Sequence, residues 1–475
     1  TREDMKFDFE IKNLGKVKHA KLNLAPFTVI AGANSSGKSF ISRALYSFFS
    51  TINKDHVTAD SMSNVTRARA LARAAYNSTY EPSYAVQSLF YALSELLSSL
   101  ENAIGDQFGD CTYLEQHTRS ILLDEHISEI EYAFQQLINE VDNKKKYVEF
   151  KERLALANRT IRQLKQSIKN PSRILEEKFE NGFNEALKEN FQVANLLDLR
   201  SFSSKNNDLI NFNFGSLGEI SIQKEEIEFE LTPSGIDEFQ SLYNVVFLES
   251  PIYWKLRKPL TKAKNNLHMP RFLRNLHRDS DGLSGVPKYF FDLIELVDEN
   301  IKSNSRSEDL DKLEKDLSEV LGGELDISES GDIYFTDTES SQNVNINLTA
   351  TGITNLGLIG LLLKRNVIAK GSFVFVDEPE VNLHPAWQKV MIETLYQLSL
   401  NGINVVIASH SIDMMKYIEN IMDDYNESDL SEHFAINRLS PDGKSVDECS
   451  PRQSMAKIKD DLGSPFYEMM LESGW

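Results

Sequence analysis

Apolar residues recur along this chain at two spacings, one typical of strands and one typical of helices. Near the start, Phe7, Phe9 and Ile11 alternate with polar residues, and a similar stretch follows over residues 17–24. Alternation of this kind puts the apolar side chains on one face of an extended strand. The pattern therefore predicts a small antiparallel pair of strands at the beginning of the chain.

Four later stretches are apolar almost without interruption: 28–30, 244–248, 373–376 and 404–408. Strands that are buried on both faces have this composition, and they are typical of the parallel sheets of α/β proteins. Further strands are predicted near 209–214, 219–222 and 227–231. The sequence thus predicts an α/β fold whose central sheet is assembled from distant parts of the chain.

Between these strands the spacing becomes helical. Apolar stripes such as Ile127, Ile130, Phe134 and Leu137 predict long amphipathic helices that pack together rather than hold a cofactor. We predict five segments: a first sheet-forming lobe (1–58), a helical insertion (59–204), a set of strands (205–254), a basic and then helical insertion (255–320) and a second sheet-forming lobe (321–475).

The strand at 28–30 leads into GANSSGKS, residues 32–39, which match the phosphate-binding pattern G-x-x-x-x-G-K-[ST]. Glycines allow the backbone N–H groups to turn towards a phosphate, and the helix that follows adds the positive end of its dipole. Lys38 supplies a charge to the β- and γ-phosphates, and the Ser39 hydroxyl is placed to ligate Mg²⁺. The predicted nucleotide-binding residues are Gly32, Asn34, Ser35, Ser36, Gly37, Lys38, Ser39 and Phe40.

Two later strands end in chemically active residues. Asp377 and Glu378 follow the strand at 373–376, at the edge where open α/β sheets bind ligands. We predict that Asp377 holds Mg²⁺ and that Glu378 orients and deprotonates the attacking water. His410 follows the next strand; a lone histidine there is usually structural, but one strand beyond an Asp-Glu pair it is suited to donate to the γ-phosphate.

The composition of the chain excludes several classes of protein. The formal net charge is -20 and the pI about 5.0, which disfavours a protein that coats nucleic acid nonspecifically. Only two cysteines are present, so a zinc cluster or a disulfide framework is not indicated. The longest apolar run, Leu356 to Leu363, is too short to span a bilayer. We therefore expect a cytoplasmic protein without a membrane partner.

One stretch reverses the acidic character of the chain. Residues 255–278, the basic stretch, contain eight Lys or Arg and no acid. This is the best candidate surface for an anionic partner, although a solvated flank that balances nearby acids explains it equally well. The candidate partner-binding residues are Lys255, Arg257, Lys258, Arg271, Arg274 and Arg278.

Taken in order, GANSSGKS, FVFVDEPE, LHP and ASHS resemble the ABC-type ATPase heads of the SMC, Rad50, RecF and OLD group, to which the AAA_15 and AAA_21 families belong. The resemblance covers roughly residues 1–58, 205–254 and 321–425. It implies a P-loop NTPase fold, an ABC-type head with large α-helical insertions, in which two copies sandwich two ATP molecules.

In such a sandwich each nucleotide also contacts a signature sequence and a D-loop of the other copy. By this resemblance the signature is Leu348 to Ile353, with Thr351 and Gly352 as contacts, and Asn382 is the D-loop residue. Ala350 replaces the usual signature serine, which predicts slow hydrolysis. The family's Q-loop glutamine has only Gln87 as a candidate.

Long heptad arms and a C-x-x-C hook are absent, and too few residues follow His410 for a Toprim nuclease domain. The chain in these respects resembles the ATPases of two-gene anti-phage systems, the AriA family of PARIS first and the PtuA family of Septu second. That resemblance implies a homo-oligomeric scaffold, with no nuclease domain of its own, that holds a Toprim nuclease of the AriB kind and frees it on sensing a phage trigger, such as an acidic DNA-mimicking protein. The alternatives are a RecF- or OLD-like repair ATPase acting on DNA and, less favoured, a transporter ATPase.

Overall fold

The computed structural model describes residues 6–109, 111–142, 144–201, 209–267, 285–299, 307–328, 330–446 and 450–472. The chain divides into two compact units. The sheet unit comprises Thr1–Asn53, Phe183–Leu231 and Leu242–Trp475, and the helical unit comprises Lys54–Gly182 and Thr232–Ser241. None of the helices in the described ranges is both long enough and apolar enough to cross a membrane.

The strands lie close to the positions that the apolar pattern predicts, and all of them belong to the sheet unit. They are β1 (Phe7–Leu14), β2 (Val17–Leu24), β3 (Phe27–Gly32), β4 (Ile210–Asn213), β5 (Gly218–Gln223), β6 (Glu226–Leu231), β7 (Val245–Leu248), β8 (Gly323–Ile327), β9 (Ile333–Asp337), β10 (Asn343–Asn345), β11 (Phe373–Asp377), β12 (Asn404–Ser409), β13 (Phe434–Leu439) and β14 (Ser445–Val446).

The α-helices fill the long intervals between strands. They are α1 (Lys38–Ile52), α2 (His56–Asn77), α3 (Tyr84–Phe108), α4 (Tyr113–Arg119), α5 (Leu123–Val141), α6 (Val148–Lys169), α7 (Pro171–Phe191), α8 (Pro233–Gln240), α9 (Ile252–Lys255), α10 (Arg257–Leu267), α11 (Lys288–Asp298), α12 (Glu308–Leu321), α13 (Thr351–Lys364), α14 (Pro385–Leu400), α15 (Ile412–Met422), α16 (Glu427–His433) and α17 (Pro451–Glu472).

The central sheet has six strands in the order β14-β13-β3-β12-β11-β7. From β13 to β7 every neighbouring pair is parallel, and β14 is an antiparallel edge strand. The strands β3, β11, β12 and β7 are buried along their whole length, which explains their unbroken apolar sequences. The predicted α/β fold class is confirmed, and the carboxyl ends of β3, β12, β11 and β7 lie side by side at one edge of the sheet.

A second, antiparallel sheet has the order β2-β1-β4-β5-β6. Its buried face carries the alternating residues Phe7, Phe9 and Ile11 of β1 together with Phe212 of β4. Phe9 lies 6.4 Å from Phe212, measured between ring centroids. A third sheet, β10-β9-β8, has three short strands. The antiparallel start predicted for the chain is therefore present, and it is extended by strands from beyond the helical unit.

In the helical unit, α2, α3, α5 and α6 pack around one apolar core. The predicted stripe on α5, which includes Ile127, Ile130 and Phe134, is buried there. The structure divides the chain at Asn53 and Phe183, whereas the sequence pattern predicts an insertion over 59–204. The difference arises because α7 ends in the sheet unit, where the Phe183 ring lies 6.3 Å from Phe48 and 5.8 Å from Phe212.

Candidate functional site

The loop between β3 and α1 is shaped by backbone angles that side chains disfavour. Gly37, which precedes α1, has φ 103°, and a Cβ atom there would lie 2.6 Å from Val17 Cγ2. Ser35 is also in the left-handed region, with φ 63°. A Cβ atom on Gly32 would lie 2.5 Å from the Leu439 carbonyl oxygen. The loop therefore has the turned backbone that directs successive N–H groups towards an anion.

Lys38 lies under this loop. Its Nζ donates to the carbonyl oxygens of Gly32 and Ala33, at 3.0 Å each. Burial lowers the pKa of Lys38, and the carboxylates of Glu378 and Asp377 oppose that shift. The hydroxyl of Ser36 is buried and has no hydrogen-bond partner among the described residues. A buried lysine and an unsatisfied hydroxyl in a loop of this shape fit a bound phosphate group.

Ser39 on α1 and Asp377 on β11 form a pair that is suited to bind Mg²⁺. Ser39 Oγ donates to Asp377 Oδ1 at 3.1 Å. The pKa of Asp377 is raised to about 6. Burial is the largest cause and the charge of Glu249 also raises the pKa, whereas the hydrogen bond from Ser39 and the charge of Arg43 lower it. A divalent cation beside this carboxylate would offset the cost of burying its charge. The hydroxyl and carboxylate oxygens are ligands that Mg²⁺ accepts, so the residues fit the predicted ion.

Glu378 and His410 follow neighbouring strands and lie next to each other. The backbone N–H of Glu378 donates to the Ala408 carbonyl oxygen at 2.8 Å, and Glu378 has φ 51°, an uncommon angle for a residue with a side chain. His410 Nδ1 is 3.5 Å from Glu378 Oε1. The structure therefore brings Glu378 and His410 together at the sheet edge that also holds Asp377.

A third acid, Glu380, belongs to this group although the sequence pattern gave it no role. Its side chain is 8% exposed, and its Oε1 lies 3.2 Å from His410 Nδ1. Oε1 accepts hydrogen bonds from Ser409 Oγ at 2.9 Å and from the His410 backbone N–H at 3.0 Å. The signal in the sequence was an acidic residue three positions after Asp377, inside the tight turn that follows β11.

Another residue that the sequence pattern missed is Glu249, which follows β7 on the far side of β11. Arg43 Nη2 donates to its Oε1 at 2.6 Å, and the Tyr289 hydroxyl donates to its Oε2. Burial lowers the pKa of Arg43, but Glu249 and Tyr289 outweigh it and the net shift is upward. Glu249 lines a cavity of about 460 Å³ together with Ser39, Asp377 and Glu378.

Gln87, which the sequence offers only as a candidate for the Q-loop glutamine, lies on α3 of the helical unit. Its side chain donates to the Pro82 carbonyl oxygen at 3.2 Å, one turn away. In the sheet unit, Glu249 directly follows β7, which pairs with β11. At the carboxyl end of β7, beside Asp377 of β11, the residue is therefore an acid and not a glutamine.

A family model described as an AAA ATPase domain, AAA_15, matches residues 5–415. The chain belongs to this AAA_15 family. Family membership, the sheet order and the phosphate-binding loop together confirm the predicted P-loop ATPase fold with helical additions.

Solved structures that the AAA_15 chain resembles include an Smc head bound to the C-winged helix domain of ScpA, at 13% identity and a TM-score of 0.33, over 95% of this chain and 99% of that chain. The Smc head with a coiled coil and joint from Pyrococcus yayanosii is 12% identical with a TM-score of 0.33, over 96% and 99%. A dimeric bacterial ABC transporter cassette is 18% identical with a TM-score of 0.21, over 34% and 55%. No curated protein matches.

In the AAA_15 ATPase the predicted signature lies at the start of α13. Thr351 is its first residue, and Ala350 before it makes no side-chain capping bond to the helix. A Cβ atom on Gly352 would lie 3.3 Å from Leu383 Cδ2 and 3.7 Å from the Asn382 carbonyl oxygen. The predicted signature and D-loop residues are thus neighbours within one copy, and the Lys255 ammonium donates to the Thr349 carbonyl oxygen at 2.8 Å beside them.

Two residues of the basic stretch, Arg257 and Lys258, form ion pairs within the AAA_15 ATPase itself. Arg257 is 8% exposed, donates to the Gly331 carbonyl oxygen at 3.0 Å and pairs with Asp298, so its guanidinium is engaged within this chain. Lys258 is exposed but pairs with Asp332. The candidates Arg271, Arg274 and Arg278 lie outside the described residues.

Phe40, predicted to contact the nucleotide, packs inside the sheet unit. Its ring lies 5.4 Å from the Phe191 ring, and a Cβ atom on Gly15 would be 2.2 Å from it. Phe40 therefore connects α1 to α7 and to the β1–β2 turn. Phe40 and Arg43, which pairs with Glu249, both lie on α1.

Proposed function

We propose that this ATPase is the nucleotide-driven sensor and scaffold subunit of a prokaryotic anti-phage defence complex, which holds a separate effector nuclease and releases it when a phage trigger is sensed. The observation that carries the switch is the hydrogen bond between Ser39 and Asp377, at 3.1 Å. It joins residues that are 338 positions apart and brings the phosphate-binding loop beside Glu378 and His410.

Each residue at this edge has a role in our proposal. The loop N–H groups and Lys38 bind the phosphates, and Ser39 and Asp377 hold Mg²⁺. The ion, when bound, neutralises charge on the phosphate oxygens. Glu378 orients the attacking water and accepts its proton. His410 donates a hydrogen bond to the γ-phosphate, whose oxygens carry the negative charge in the transition state.

We infer that a second copy completes the site, within a larger homo-oligomer. Support comes from the start of α13. Ala350, the residue before the helix, has no side chain that could cap it, so the N–H groups of the first turn are left available for an anion. Leu348, just before it, is 80% exposed. An exposed apolar side chain beside an uncapped helix start suits a surface that another copy of the chain covers.

The proposed partners are a separate nuclease, of Toprim type by the resemblance to AriA-like ATPases, and an acidic phage protein or DNA as the trigger. The proposed site on this chain is the basic stretch without Arg257, because Arg257 is buried. A RecF- or OLD-like repair ATPase that acts on DNA is the alternative, and the same stretch would then contact duplex DNA.

The switch is tested with Lys38→Ala and Glu378→Gln, measured by fluorescent-nucleotide binding and by ATP turnover. We expect Lys38→Ala to lose nucleotide binding and Glu378→Gln to bind ATP normally while its turnover falls by a factor of about 100 or more. Lys389→Ala is the matched control, because Lys389 lies on the exposed side of α14 and its ion-pair partner among the described residues is Glu393. Normal effector release in both site variants would refute the switch.

The partner is tested by titrating duplex DNA and an acidic DNA-mimicking protein at several salt concentrations. Duplex affinity that falls steeply with salt supports a repair ATPase, because released counterions drive such binding. Tight binding of the acidic protein without duplex affinity supports defence. Charge reversal of Arg271, Arg274 and Arg278 should abolish trigger binding and leave ATP binding unchanged; retained trigger binding would remove the basic stretch as its site.

A further inference from the structure

Glu380 is held in place by the turn that follows β11. The N–H of Val381 donates to the Glu378 carbonyl oxygen and the N–H of Leu383 to the Glu380 carbonyl oxygen, each at 3.1 Å. Glu378 and Asn382 have φ angles of 51° and 62°, so the chain reverses tightly here. This reversal directs the Glu380 side chain back to the end of β12 rather than into solvent.

The two carboxylate oxygens of Glu380 have different surroundings. Oε1 accepts from Ser409 Oγ at 2.9 Å and from the His410 N–H at 3.0 Å, which fixes the side chain against β12. Oε2 is buried and has no hydrogen-bond partner among the described residues. A carboxylate in this position loses hydration that two donors on one oxygen only partly replace. Holding the turn alone does not require an acid, because an amide oxygen would accept the same two bonds.

His410 Nδ1 lies between two acids. It is 3.2 Å from Glu380 Oε1 and 3.5 Å from Glu378 Oε1, and it is buried without a completed hydrogen bond to any described residue. A ring nitrogen carries a single proton, so one acid at a time can accept it. If Glu378 accepts it, the oxygen that should receive a proton from water is occupied. If Glu380 accepts it, Glu378 remains available.

We propose that Glu380 is the positioning residue of His410. Its carboxylate accepts a hydrogen bond from Nδ1–H, so that Nδ1 does not donate to Glu378. With both ring nitrogens protonated, Nε2 is then left to donate to a phosphate oxygen, and Glu378 is left to accept a proton from water. This assignment rests on the proposed roles of His410 and Glu378 in ATP hydrolysis.

The test is a double-mutant cycle of Glu380→Gln and His410→Ala, read by single-turnover ATP hydrolysis and by nucleotide affinity. We expect Glu380→Gln to slow hydrolysis by a factor of about 10 to 100 while nucleotide affinity changes by less than about twofold. In the His410→Ala background, Glu380→Gln should have no further effect, because its action passes through the ring. A further loss of the same factor in that background would overturn the assignment.

Two further variants separate positioning from support of the turn. Ser409→Ala removes the other side-chain donor to the same Glu380 oxygen and leaves His410 in place. A loss of rate in Ser409→Ala equal to that in Glu380→Gln would show that Glu380 only supports the turn, and would overturn our proposal. Glu380→Asp, which keeps the charge on a shorter side chain, should give an intermediate rate, and it provides the measurement if Glu380→Gln does not fold.

The same experiment separates this inference from the proposed function. If His410→Ala hydrolyses ATP at the wild-type rate, His410 has no role, and both assignments fall. If His410→Ala is slow but the effect of Glu380→Gln multiplies with it, only the role of Glu380 is removed.

Discussion

At the scale of single residues, the carboxyl of Asp377 has a pKa well above that of a free aspartate. Burial raises its pKa to about 6, so the proton and Mg²⁺ compete for the same oxygens in mildly acidic solution. We expect the Mg²⁺ affinity of the ATP complex to be constant above about pH 7 and to fall by about tenfold for each pH unit below about 6. A Mg²⁺ titration with a fluorescent ATP analogue measures this, and an affinity that stays constant down to about pH 5 would contradict it.

The same pKa predicts an effect on the metal-free protein. Between about pH 4 and about pH 6 the folded state keeps a proton on Asp377 that the unfolded state has lost, so the free energy of unfolding falls as pH rises through this range. Above it the buried charge costs up to about 3 kcal/mol. We therefore expect Asp377→Asn to be more stable than the wild type at pH 7 without metal, although it loses hydrolysis. Chemical denaturation at several pH values measures the difference, which should vanish near pH 4.

Arg43 and Glu249 form the ion pair behind this site. Arg43→Ala leaves Glu249 partly buried, with Tyr289 as its remaining side-chain donor among the residues that the structure describes. We expect a loss of about 2 to 4 kcal/mol in the free energy of unfolding. The control is Arg153→Ala, since Arg153 pairs with Glu149 on an exposed helix surface and its loss should cost less than about 0.5 kcal/mol. Equal losses in the two variants would show that the Arg43–Glu249 pair stabilises the fold no more than an exposed ion pair does.

At the scale of elements, α13 matters because it carries the predicted signature at its first turn. A Cβ atom on Gly357 would lie 2.9 Å from Leu325 Cγ on β8, whereas one on Gly360 would lie 3.5 Å from Leu317 Cδ2, an ordinary contact. We expect Gly357→Ala to destabilise the protein by about 1 to 3 kcal/mol and to slow hydrolysis, because α13 must shift. Gly360→Ala on the same helix should be neutral or stabilise by up to about 1 kcal/mol. Thermal unfolding compares the two, and a stabilised Gly357→Ala variant would contradict close packing on β8.

The elements that the sequence predicts well are those that a local pattern specifies. The strands before Lys38, Asp377 and His410 are short runs of apolar residues, and the phosphate-binding loop is defined by its glycines. Contacts between residues that are far apart in the sequence have no such local pattern. Arg43 meets Glu249 across 206 positions, and Arg257 meets Asp298 across 41, so a count of neighbouring charges assigned Arg257 to a partner and gave Glu249 no role.

At the scale of the whole molecule, the proposed sandwich predicts that two inactive variants restore each other. Lys38→Ala lacks its own nucleotide site, and Gly352→Asp lacks a functional signature, so each alone should be inactive. In an equal mixture, half of the dimers pair one copy of each variant and contain one intact composite site, which gives about a quarter of the wild-type turnover. Turnover measured against mixing ratio tests this, with the Lys38→Ala, Gly352→Asp double variant as the control. An inactive mixture that still forms dimers would contradict shared sites.

The position of β3 in the central sheet also has a consequence for biosynthesis. β3 pairs with β12 on one side and with β13 on the other, and the ribosome makes both only from residue 404 onward. At roughly 5 to 20 residues per second, the nascent β3 waits on the order of half a minute for its neighbours. A translation product released before then carries the loop sequence without a formed nucleotide pocket, so the enzyme stays inert until residues 404–439 have been translated.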